Sequence, residues 1–404
     1  MMGAPSRAHG RFACVAGYAR SVADHSDRHR SPDLDVDALL ADPGIRIVVC
    51  CGSGGVGKTT TAAALGLRAA ERHGRRTVVL TIDPARRLAQ SLGLTSLDNT
   101  PRQVKGVEAD GGELHAMMLD MKRTFDEVVL AHTDANKAEE IFANPFYQAM
   151  SSTFSGTQEY MAMEKLGQLR ARGEWDLIVV DTPPSRSALD FLDAPARLSR
   201  FLDGRMIRML LVPARVGGRS MFKLASASFG VFTRAVTKVL GTQLLTDVST
   251  FVAALDSMFG GFRERAERTY RILQDPETAF LVVAAPEPDA IREAAYFADR
   301  LDSERMPLTG LVLNRMTTVA APAIGSDSAR AAAVRLDEVG GHGVTADAMR
   351  VHAALVDQHT RQVAVAERFV SAYPQVPVVE VPAQAVDVHD LDGLRAIGRS
   401  LAGA

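Results

Sequence analysis

The sequence predicts a doubly wound α/β fold, in which helices cover both faces of a mostly parallel β-sheet and a helical subdomain is inserted into the chain. Three observations lead to this prediction. Short apolar segments rich in β-branched residues alternate with segments of helical pattern from Ile45 onward. A glycine-rich turn joins the first of these strands to an alanine-rich helix. The stretch 197–275 departs from the alternation and is largely helical in pattern.

The predicted strands are short and aliphatic along most of their length, as expected for strands that are buried on both faces. They are residues 45–51, 77–82, 177–181, 279–285, 308–313 and 378–381. Helical segments lie between them, for example Lys58–His73, which Gly74 ends. Strand–helix–strand alternation of this kind predicts parallel pairing with right-handed crossovers.

The composition is that of an ordinary globular protein, with 47% hydrophobic and 23% charged residues among 404. The 46 basic and 48 acidic side chains give a formal charge of −2, so no global field attracts nucleic acid and no nucleic-acid partner is expected. The chain has 3 cysteines, Cys14, Cys50 and Cys51, too few for a disulfide framework or a four-cysteine zinc site. No apolar run approaches the ~18 residues of a membrane span.

Composition divides the chain into a tail, a main domain and an insertion. Residues 1–43 place several Arg among Ala, Ser and Gly and are predicted to be a disordered or mis-started tail, although a transit peptide shares this composition. Residues 44–196 and 276–404 are predicted to form the α/β domain, with 197–275 inserted in it. Within the second part, residues 317–343 are predicted to be a surface loop and Thr345 the cap of a long helix toward Ala372.

A phosphate-binding loop follows the first strand. Residues 52–59 fit the pattern G-x-x-x-x-G-K-[ST] and lie between a strand and a helix, the context that the pattern requires. The glycines let backbone N–H groups approach phosphate oxygens, and the helix N-terminus adds the positive end of its dipole. Lys58 is expected to reach the β- and γ-phosphates, and Thr59 to bind Mg²⁺. The predicted nucleotide-binding residues of this segment are Gly52, Ser53, Gly54, Gly55, Val56, Gly57, Lys58, Thr59 and Thr60.

Two carboxylates at strand ends complete a predicted hydrolytic site. Asp181 ends the strand 177–181, where a carboxylate can hold Mg²⁺ directly or through water. Asp83 follows the strand 77–82 and could orient or deprotonate the attacking water. An Asp at this position would equally suit the cap of a helix that begins near Arg87, so the spacing leaves both roles of Asp83 open.

The base-binding end of the site is predicted at two further strand ends. Asn314 follows the strand 308–313, and guanine-specific sites usually carry an Asp a few residues after such an Asn. Here Arg315, Met316 and Thr317 follow, so the missing acid favours adenine and therefore ATP. Pro382 follows the strand 378–381 and could line the other side of the base, or it could simply end the strand.

In these motifs the sequence resembles the ArsA-type ATPase family, which includes the arsenite-pump ATPase and the guided-entry ATPases that deliver tail-anchored membrane proteins. The segments that carry the resemblance are CGSGGVGKTTTAAALGL, TIDPARRLAQSLG, GTQEYMAMEKL, DLIVVDTPPSRSALDFLDAP, VVAAPEPD, LVLNR and VEVPAQAVDVHDLDGL. A single phosphate loop makes the chain similar to single-unit members of bacterial type.

The resemblance implies a role for each matching residue. Lys58 and Thr59 would bind phosphate and Mg²⁺, and Asp83 would be the water-activating Asp of the first switch. Asp181 would belong to the second switch, whose movement reports loss of the γ-phosphate. Asn314 and Pro382 would contact adenine, and 197–275 would be the helical subdomain that binds clients.

Several departures from the family pattern bear on mechanism. Ser53 stands where the family usually has a second lysine that reaches across a dimer, and the zinc-binding cysteine pair and the clustered cysteines of the arsenite site are missing. Arg86 and Arg186 also replace residues of the usual switch motifs. Because the transferred phosphoryl group needs a compensating cation, we predict that Arg86, Arg186 or a lysine of a paralogous subunit replaces the missing lysine. Solvated surface positions for both arginines remain the alternative.

The insertion 197–275 is rich in Met and Phe and more basic than the rest of the chain. Adaptable Met and Phe suit a surface that binds varied hydrophobic clients, and basic flanks suit lipid headgroups nearby. The same side chains could instead form the core of the subdomain, and the sequence does not decide between these. An apolar stripe near the C-terminus (Leu391, Leu394, Ile397 and Leu401) has balanced charges, which predicts a helix docked on the core.

The predicted function is therefore an Mg-ATP-hydrolysing switch that handles a hydrophobic client or assists a membrane-transport process. A ParA/MinD-like positioning ATPase and a nucleotide-binding regulatory subunit of a paralogous hetero-oligomer are the alternatives. The expected partners are a second copy in a homodimer or a paralogous ATPase, without zinc. The expected location is the cytoplasm, with peripheral membrane attachment left open.

Overall fold

The computed structural model describes the α/β domain in detail. The described residues are 31–83, 87–108, 111–144, 147–148, 157–183, 264–265 and 267–403. The insertion 197–275 therefore lies outside them apart from residues 264–265 and 267–275, and Arg86, Arg186 and residues 1–30 lie outside them as well.

The framework is an 8-stranded sheet in the order β3-β4-β2-β5-β1-β6-β7-β8. The strands are β1 (Ile47–Cys51), β2 (Arg76–Thr81), β3 (Arg102–Gln103), β4 (Glu113–Met118), β5 (Leu177–Asp181), β6 (Thr278–Ala284), β7 (Leu308–Met316) and β8 (Val378–Pro382). Only the pairing of β3 with β4 is antiparallel in this sheet. Because β1 lies between β5 and β6, strands that precede and follow the insertion belong to one sheet. The predicted doubly wound, mostly parallel α/β fold is confirmed.

Within the described residues, helices connect and cover these strands. They are α1 (Val36–Ala41), α2 (Lys58–His73), α3 (Arg87–Ser91), α4 (Met121–His132), α5 (Ala135–Ala143), α6 (Thr157–Arg172), α7 (Pro288–Ser303), α8 (Ser326–Val339), α9 (Gly343–Ala372) and α10 (Leu391–Leu401). The helix predicted at Lys58–His73 has those bounds, and Gly74 ends it in the left-handed conformation with φ 62°.

Two hydrophobic cores flank the sheet, because successive side chains of each strand point to opposite faces. Ile47 and Val49 of β1 belong to the core beneath α4, α6, α7 and α9, whereas Val48 and Cys50 belong to the core beneath α1, α2 and α10. All of β1 is buried. The predicted docking of the C-terminal helix is confirmed: Leu394, Ile397 and Leu401 of α10 are buried in the second core.

Helix α2 is tied by ion pairs to elements near both ends of the chain. Arg68 lies 2.6 Å from the carboxylate of Asp37 on α1. Glu71 accepts hydrogen bonds from Arg395 of α10, at 2.8 Å from Nη2. These two pairs, together with the buried apolar side of α2, connect the phosphate-loop helix to two helices that are far apart in sequence.

The predicted tail boundary at residue 43 is wrong. Ser31 donates a hydrogen bond to the carbonyl oxygen of Val376, and Asp33 forms a parallel bridge with Val378. Helix α1 then buries Val36 and Leu40 completely. The aliphatic residues of this segment find partners on the sheet and on α2, so residues 31–43 belong to the domain.

Four secondary-structure predictions are corrected by the structure. Strands β3 and β4 were not predicted, because they lie at a sheet edge and their residues include exposed Arg102 and partly exposed Glu113. The predicted surface loop 317–343 contains α8, which packs against α9. Helix α9 begins at Gly343, and its N-cap is His342, three residues before the predicted cap Thr345. Strand β7 also extends to Met316, so Asn314 lies within the strand.

In the described part of the chain, the helices are too short or too polar to span a membrane.

Candidate functional site

The glycine-rich loop between β1 and α2 has a backbone that only glycine adopts easily. Gly57 caps α2 with φ 96°, and Gly52 has φ 147°. A Cβ on Gly52 would lie 2.1 Å from the carbonyl oxygen of Val283 on the neighbouring strand, closer than real atoms approach. The sharp turn of the loop between β1 and α2 therefore depends on these glycines.

Lys58 is the first residue of α2 and points back into the loop. Its Nζ donates a hydrogen bond of 2.6 Å to the carbonyl oxygen of Ser53. Lys58 is only 5% exposed, and burial lowers its pKa, while the carboxylates of Asp181 and Asp83 act to raise it. A buried ammonium held among loop carbonyls is suited to a polyanion that enters the loop.

Asn314 fixes the loop from β7. Its Nδ2 donates a hydrogen bond of 2.8 Å to the carbonyl oxygen of Val56, and its Oδ1 accepts one of 3.0 Å from the backbone N–H of Arg315. A Cβ on Gly57 would lie 2.2 Å from this Nδ2, so the contact depends on glycine at position 57. Both polar atoms of the Asn314 amide thus contact backbone in this structure.

Asp181 is a buried carboxylate with an unused oxygen. It lies at the end of β5 and is 0% exposed, and its Oδ2 accepts a hydrogen bond of 2.9 Å from the hydroxyl of Thr81. Its Oδ1 has no hydrogen-bond partner among the described residues. Burial raises the pKa of Asp181 to about 6, although Thr59, Thr81 and Lys58 act to lower it. An orphaned, buried oxygen beside a Thr hydroxyl fits the hard, oxygen-seeking ion Mg²⁺.

A cleft of about 920 Å³ opens beside the loop. Of the residues predicted to bind nucleotide or metal, the following line it: Gly55, Gly57, Lys58, Thr59, Thr60, Asp83, Asn314 and Pro382. Gly52, Ser53, Gly54, Val56 and Asp181 are not among the described lining residues. The structure therefore brings the phosphate loop, Asp83 and the predicted base-binding residues to one cleft of the size typical of small-ligand sites.

The rest of the described lining of the cleft was not predicted from the sequence. It comes from α3, from the residue after β5, from the end of β7, from the segment after β8 and from α10, namely Arg87, Gln90, Ser91, Thr182, Arg315, Ala383, Gln384, Val386, Asp387, Val388, His389 and Ile397. A signal for it exists, because ligands of open parallel sheets bind beyond the carboxyl ends of the strands. The residues after each strand were therefore the positions to examine.

Asp83 lines the cleft and lies two residues after the end of β2. Its backbone N–H donates to the hydroxyl of Thr81 at 3.2 Å, the same hydroxyl that contacts Asp181. Residues 84–86 lie outside the described part, so the alternative role of Asp83 as a helix cap stays a prediction. Arg86 and Arg186 also fall outside it, whereas Arg87, the first residue of α3, borders the cleft.

Fold and site together define a P-loop nucleotide-binding α/β protein, with a phosphate loop after the central strand β1, one acid at the end of β5 and another shortly after β2. A family model described as anion-transporting ATPase matches residues 45–323 of the chain. The chain belongs to this ArsA-type ATPase family. The resemblance drawn from the motifs is thereby confirmed.

The chain is also similar to several proteins that are named as ATPases. The chain is 25% identical over 299 residues to "ATPase GET3B" of Arabidopsis thaliana, covering 70% of this chain and 67% of that protein. It is 23% identical over 278 residues to "ATPase ASNA1 homolog 1" of Paramecium tetraurelia, covering 69% of this chain and 77% of that protein. A "Putative arsenical pump-driving ATPase" of Prosthecochloris vibrioformis is 30% identical over 159 residues, 38% of this chain and 37% of that protein.

Proposed function

We propose that this protein hydrolyses Mg-ATP and uses the hydrolysis to switch the state of a client-binding region. The observation that supports this most strongly is the constellation around Asp181: a fully buried carboxylate with one unused oxygen, next to Thr59 at the base of the phosphate loop. Leaving such an oxygen unsatisfied costs free energy unless a ligand uses it. A nucleotide site with its metal explains the arrangement.

The phosphates of ATP would occupy the loop. Backbone N–H groups of the loop and the N-terminus of α2 provide positive partial charge. Lys58 would exchange its hydrogen bond to Ser53 for phosphate oxygens, which its position at the first residue of α2 favours. Because Lys58 is already buried, the charge–charge interaction is poorly screened by water.

Thr59 and Asp181 would hold the magnesium ion, the latter directly or through water. The bound ion would neutralise charge on the β- and γ-phosphates. Thr81 positions the carboxylate of Asp181 through its hydroxyl and also contacts the backbone of Asp83. Thr81 thus connects the proposed metal ligand with the proposed base.

Asp83 would accept the proton of the attacking water. The water oxygen forms a bond to the γ-phosphorus as the bond to the β–γ bridging oxygen breaks, and the proton passes to a carboxylate oxygen of Asp83. The products are ADP and inorganic phosphate. The cation that replaces the missing loop lysine at Ser53 is proposed to be Arg86, Arg186 or a lysine from a paralogous subunit, and Arg87 borders the same cleft.

The base would lie against Asn314 and Pro382, and we propose adenine because no acid follows Asn314 closely. The hydrophobic client would bind at 197–275, and the protein would act as a homodimer or with a paralogous ATPase. These proposals rest on the family resemblance and on the Met- and Phe-rich composition of the insertion.

The proposal is tested by measuring ATP turnover and Mg-ATP binding of the full chain. We expect measurable phosphate release from the unaltered protein and at least ~100-fold slower release from Asp83→Asn, with Mg-ATP binding retained. Asp327→Asn changes a fully exposed carboxylate on α8 and serves as the matched control with unchanged turnover. Binding of Mg-ATP without turnover in the unaltered protein would favour the regulatory-subunit alternative.

Client binding is tested separately by co-purification. The protein is isolated with and without ATP, and bound proteins are identified. Enrichment of proteins with a hydrophobic segment, released on hydrolysis, would support the switch. A positioning ATPase of ParA or MinD type would instead bind DNA or anionic vesicles in the ATP state, and that result would contradict the client proposal.

A further inference from the structure

Arg315 is exposed in a stretch of backbone that is otherwise buried. The residues from Gly310 to Thr317 are all buried except Arg315. Its position lies directly after Asn314, near the end of β7. An Arg whose side chain leaves a buried strand to line a cleft requires a local change in the course of the strand.

A β-bulge supplies that change. The pairing of β7 with β8 shifts register between Asn314 and Met316, and Arg315 has φ 65°, in the left-handed region that side chains other than Gly and Asn rarely occupy. Bulges next to binding sites redirect side chains, and left-handed residues cost on the order of 1 kcal/mol. The Asn314 side chain holds the turn by accepting a hydrogen bond from the Arg315 backbone. The strained conformation therefore places the Arg315 side chain in the wall of the cleft.

The described part of the cleft has no aromatic platform for a planar base. Among its described lining residues there is no Phe, Tyr or Trp, and the planar groups are the guanidinium groups of Arg87 and Arg315 and the imidazole of His389, with side-chain amides besides. Arg87 begins α3, the helix after β2, whereas Arg315 follows Asn314 in β7, the strand that pairs with β8 up to Pro382. Within the described residues, Arg315 takes part in no ion pair that would neutralise or hold it.

We propose that the guanidinium of Arg315 stacks on the adenine base of the bound nucleotide. The inference deepens the proposed function and rests on it, because it assigns a residue to the base in the same cleft. A guanidinium plane attracts the face of an aromatic ring and remains charged at all relevant pH values. It would replace the aromatic platform that the described cleft lacks.

The test compares ligands with and without a base. The variant Arg315→Gly removes the side chain at a position whose backbone glycine tolerates, so the fold should persist and the melting temperature should not fall. Binding of Mg-ATP and of magnesium tripolyphosphate is measured by calorimetry. We expect Arg315→Gly to weaken Mg-ATP binding by about 5- to 30-fold, and to change tripolyphosphate binding by less than about twofold.

Arg305→Gly is the matched control. Arg305 is the other non-glycine residue with a positive φ, 57°, in the described part, is exposed and does not line the cleft. Its variant should bind both ligands as the unaltered protein does. Equal weakening of both ligands by Arg315→Gly would assign Arg315 to the phosphates and overturn the proposal, as would unchanged Mg-ATP binding. Failure of the unaltered protein to bind Mg-ATP would instead refute the proposed function.

Discussion

Asn314 of β7 donates a hydrogen bond from Nδ2 to the carbonyl oxygen of Val56, 2.8 Å away, although β6 separates β7 from the strand that carries the phosphate loop. The bond crosses above the end of β6 and reaches the residue before Gly57. An amide predicted to contact the base therefore also sets the position of the loop. The side chain of Asn314 thus connects the predicted base-binding end of the cleft with the phosphate loop.

Replacing Asn314 should therefore weaken binding of ligands that have no base. Loss of one buried hydrogen bond is worth about 1 kcal/mol, so we expect Asn314→Ala to bind magnesium tripolyphosphate roughly fivefold more weakly. Asn314→Asp should bind tripolyphosphate more weakly still, because it places a second hydrogen-bond acceptor against the Val56 carbonyl oxygen. Calorimetry with tripolyphosphate measures both. Normal tripolyphosphate binding by both variants would show that the contact does not hold the loop.

Gly57→Ala should abolish nucleotide binding, because its Cβ would lie 2.2 Å from Asn314 Nδ2 and its φ of 96° strains any side chain. Gly55→Ala provides the matched comparison: Gly55 also has a positive φ, 77°, but a Cβ there meets nothing within 4 Å. We expect this second variant to lose on the order of 1 kcal/mol through strain alone. Equal Mg-ATP affinities of the two variants would contradict the packing argument.

The buried Asp181 should make the ligand-free protein less stable as pH rises. Its pKa in the folded protein, about 6, lies above the usual 3.8, so the folded state holds the proton more tightly than the unfolded state. The free energy of unfolding is not reduced below pH 3.8. The reduction grows as the pH rises through 6 and reaches at most ~3 kcal/mol at higher pH.

Asp181→Asn removes this penalty while keeping an oxygen for the Thr81 hydroxyl. We expect the ligand-free variant to melt higher than the unaltered protein at pH 8, with the difference disappearing near pH 4. With saturating Mg-ATP at pH 8, the unaltered protein should instead melt at a higher temperature than Asp181→Asn, because only the carboxylate binds the ion well. A difference in melting temperature that does not vary with pH would rule out titration of Asp181 as its cause.

Docking of residues 31–43 can be tested at Asp37. Its hydrogen bonds with Arg68, and secondarily with His73, lower its pKa to about 2 despite an opposing effect of burial. Stability from this group is present above pH 3.8 and is lost as pH falls toward 2. Because the side chain is 41% exposed, Asp37→Asn should cost no more than ~1 kcal/mol at pH 7.

Urea unfolding at pH 7 and at pH 2.5 measures the Asp37 effect, which should shrink at the lower pH. Asp33→Asn, a neighbouring exposed carboxylate without an ion pair in the described part, is the control. If Asp37→Asn and Asp33→Asn behave alike at pH 7, the Arg68 contact does not contribute to stability.

Elements with strong local signals were predictable from the sequence. The phosphate loop and Lys58–His73 follow from glycine positions, an apolar strand and Gly74, all of which act over a few residues. The strand that ends at Asp181 followed from a run of aliphatic residues. Strand β4 was missed because Glu113 and His115 make its pattern mixed, and pairing with β2 outweighs that local preference.

The parts of the site that were not predicted depend on long-range contacts. The hydrogen bond from Asn314 to Val56 joins residues 258 apart in sequence, and the local pattern of β7 does not show the bulge at Arg315. The placement of segment 31–43 on the domain likewise depends on contacts with β8 and α2. Sequence patterns describe the preference of each segment, whereas these contacts require the assembled sheet.

The two ion pairs that tie α2 to α1 and α10 limit how the molecule can respond to its nucleotide. Any axial slide of α2 would have to separate Arg68 from Asp37 and Glu71 from Arg395 while withdrawing the helix from a buried core. Helix α2 is therefore held in place against α1 and α10. If the proposed function holds, a change at the nucleotide would be transmitted through the segments after β2 and β5, where Asp83 and Thr182 border the cleft.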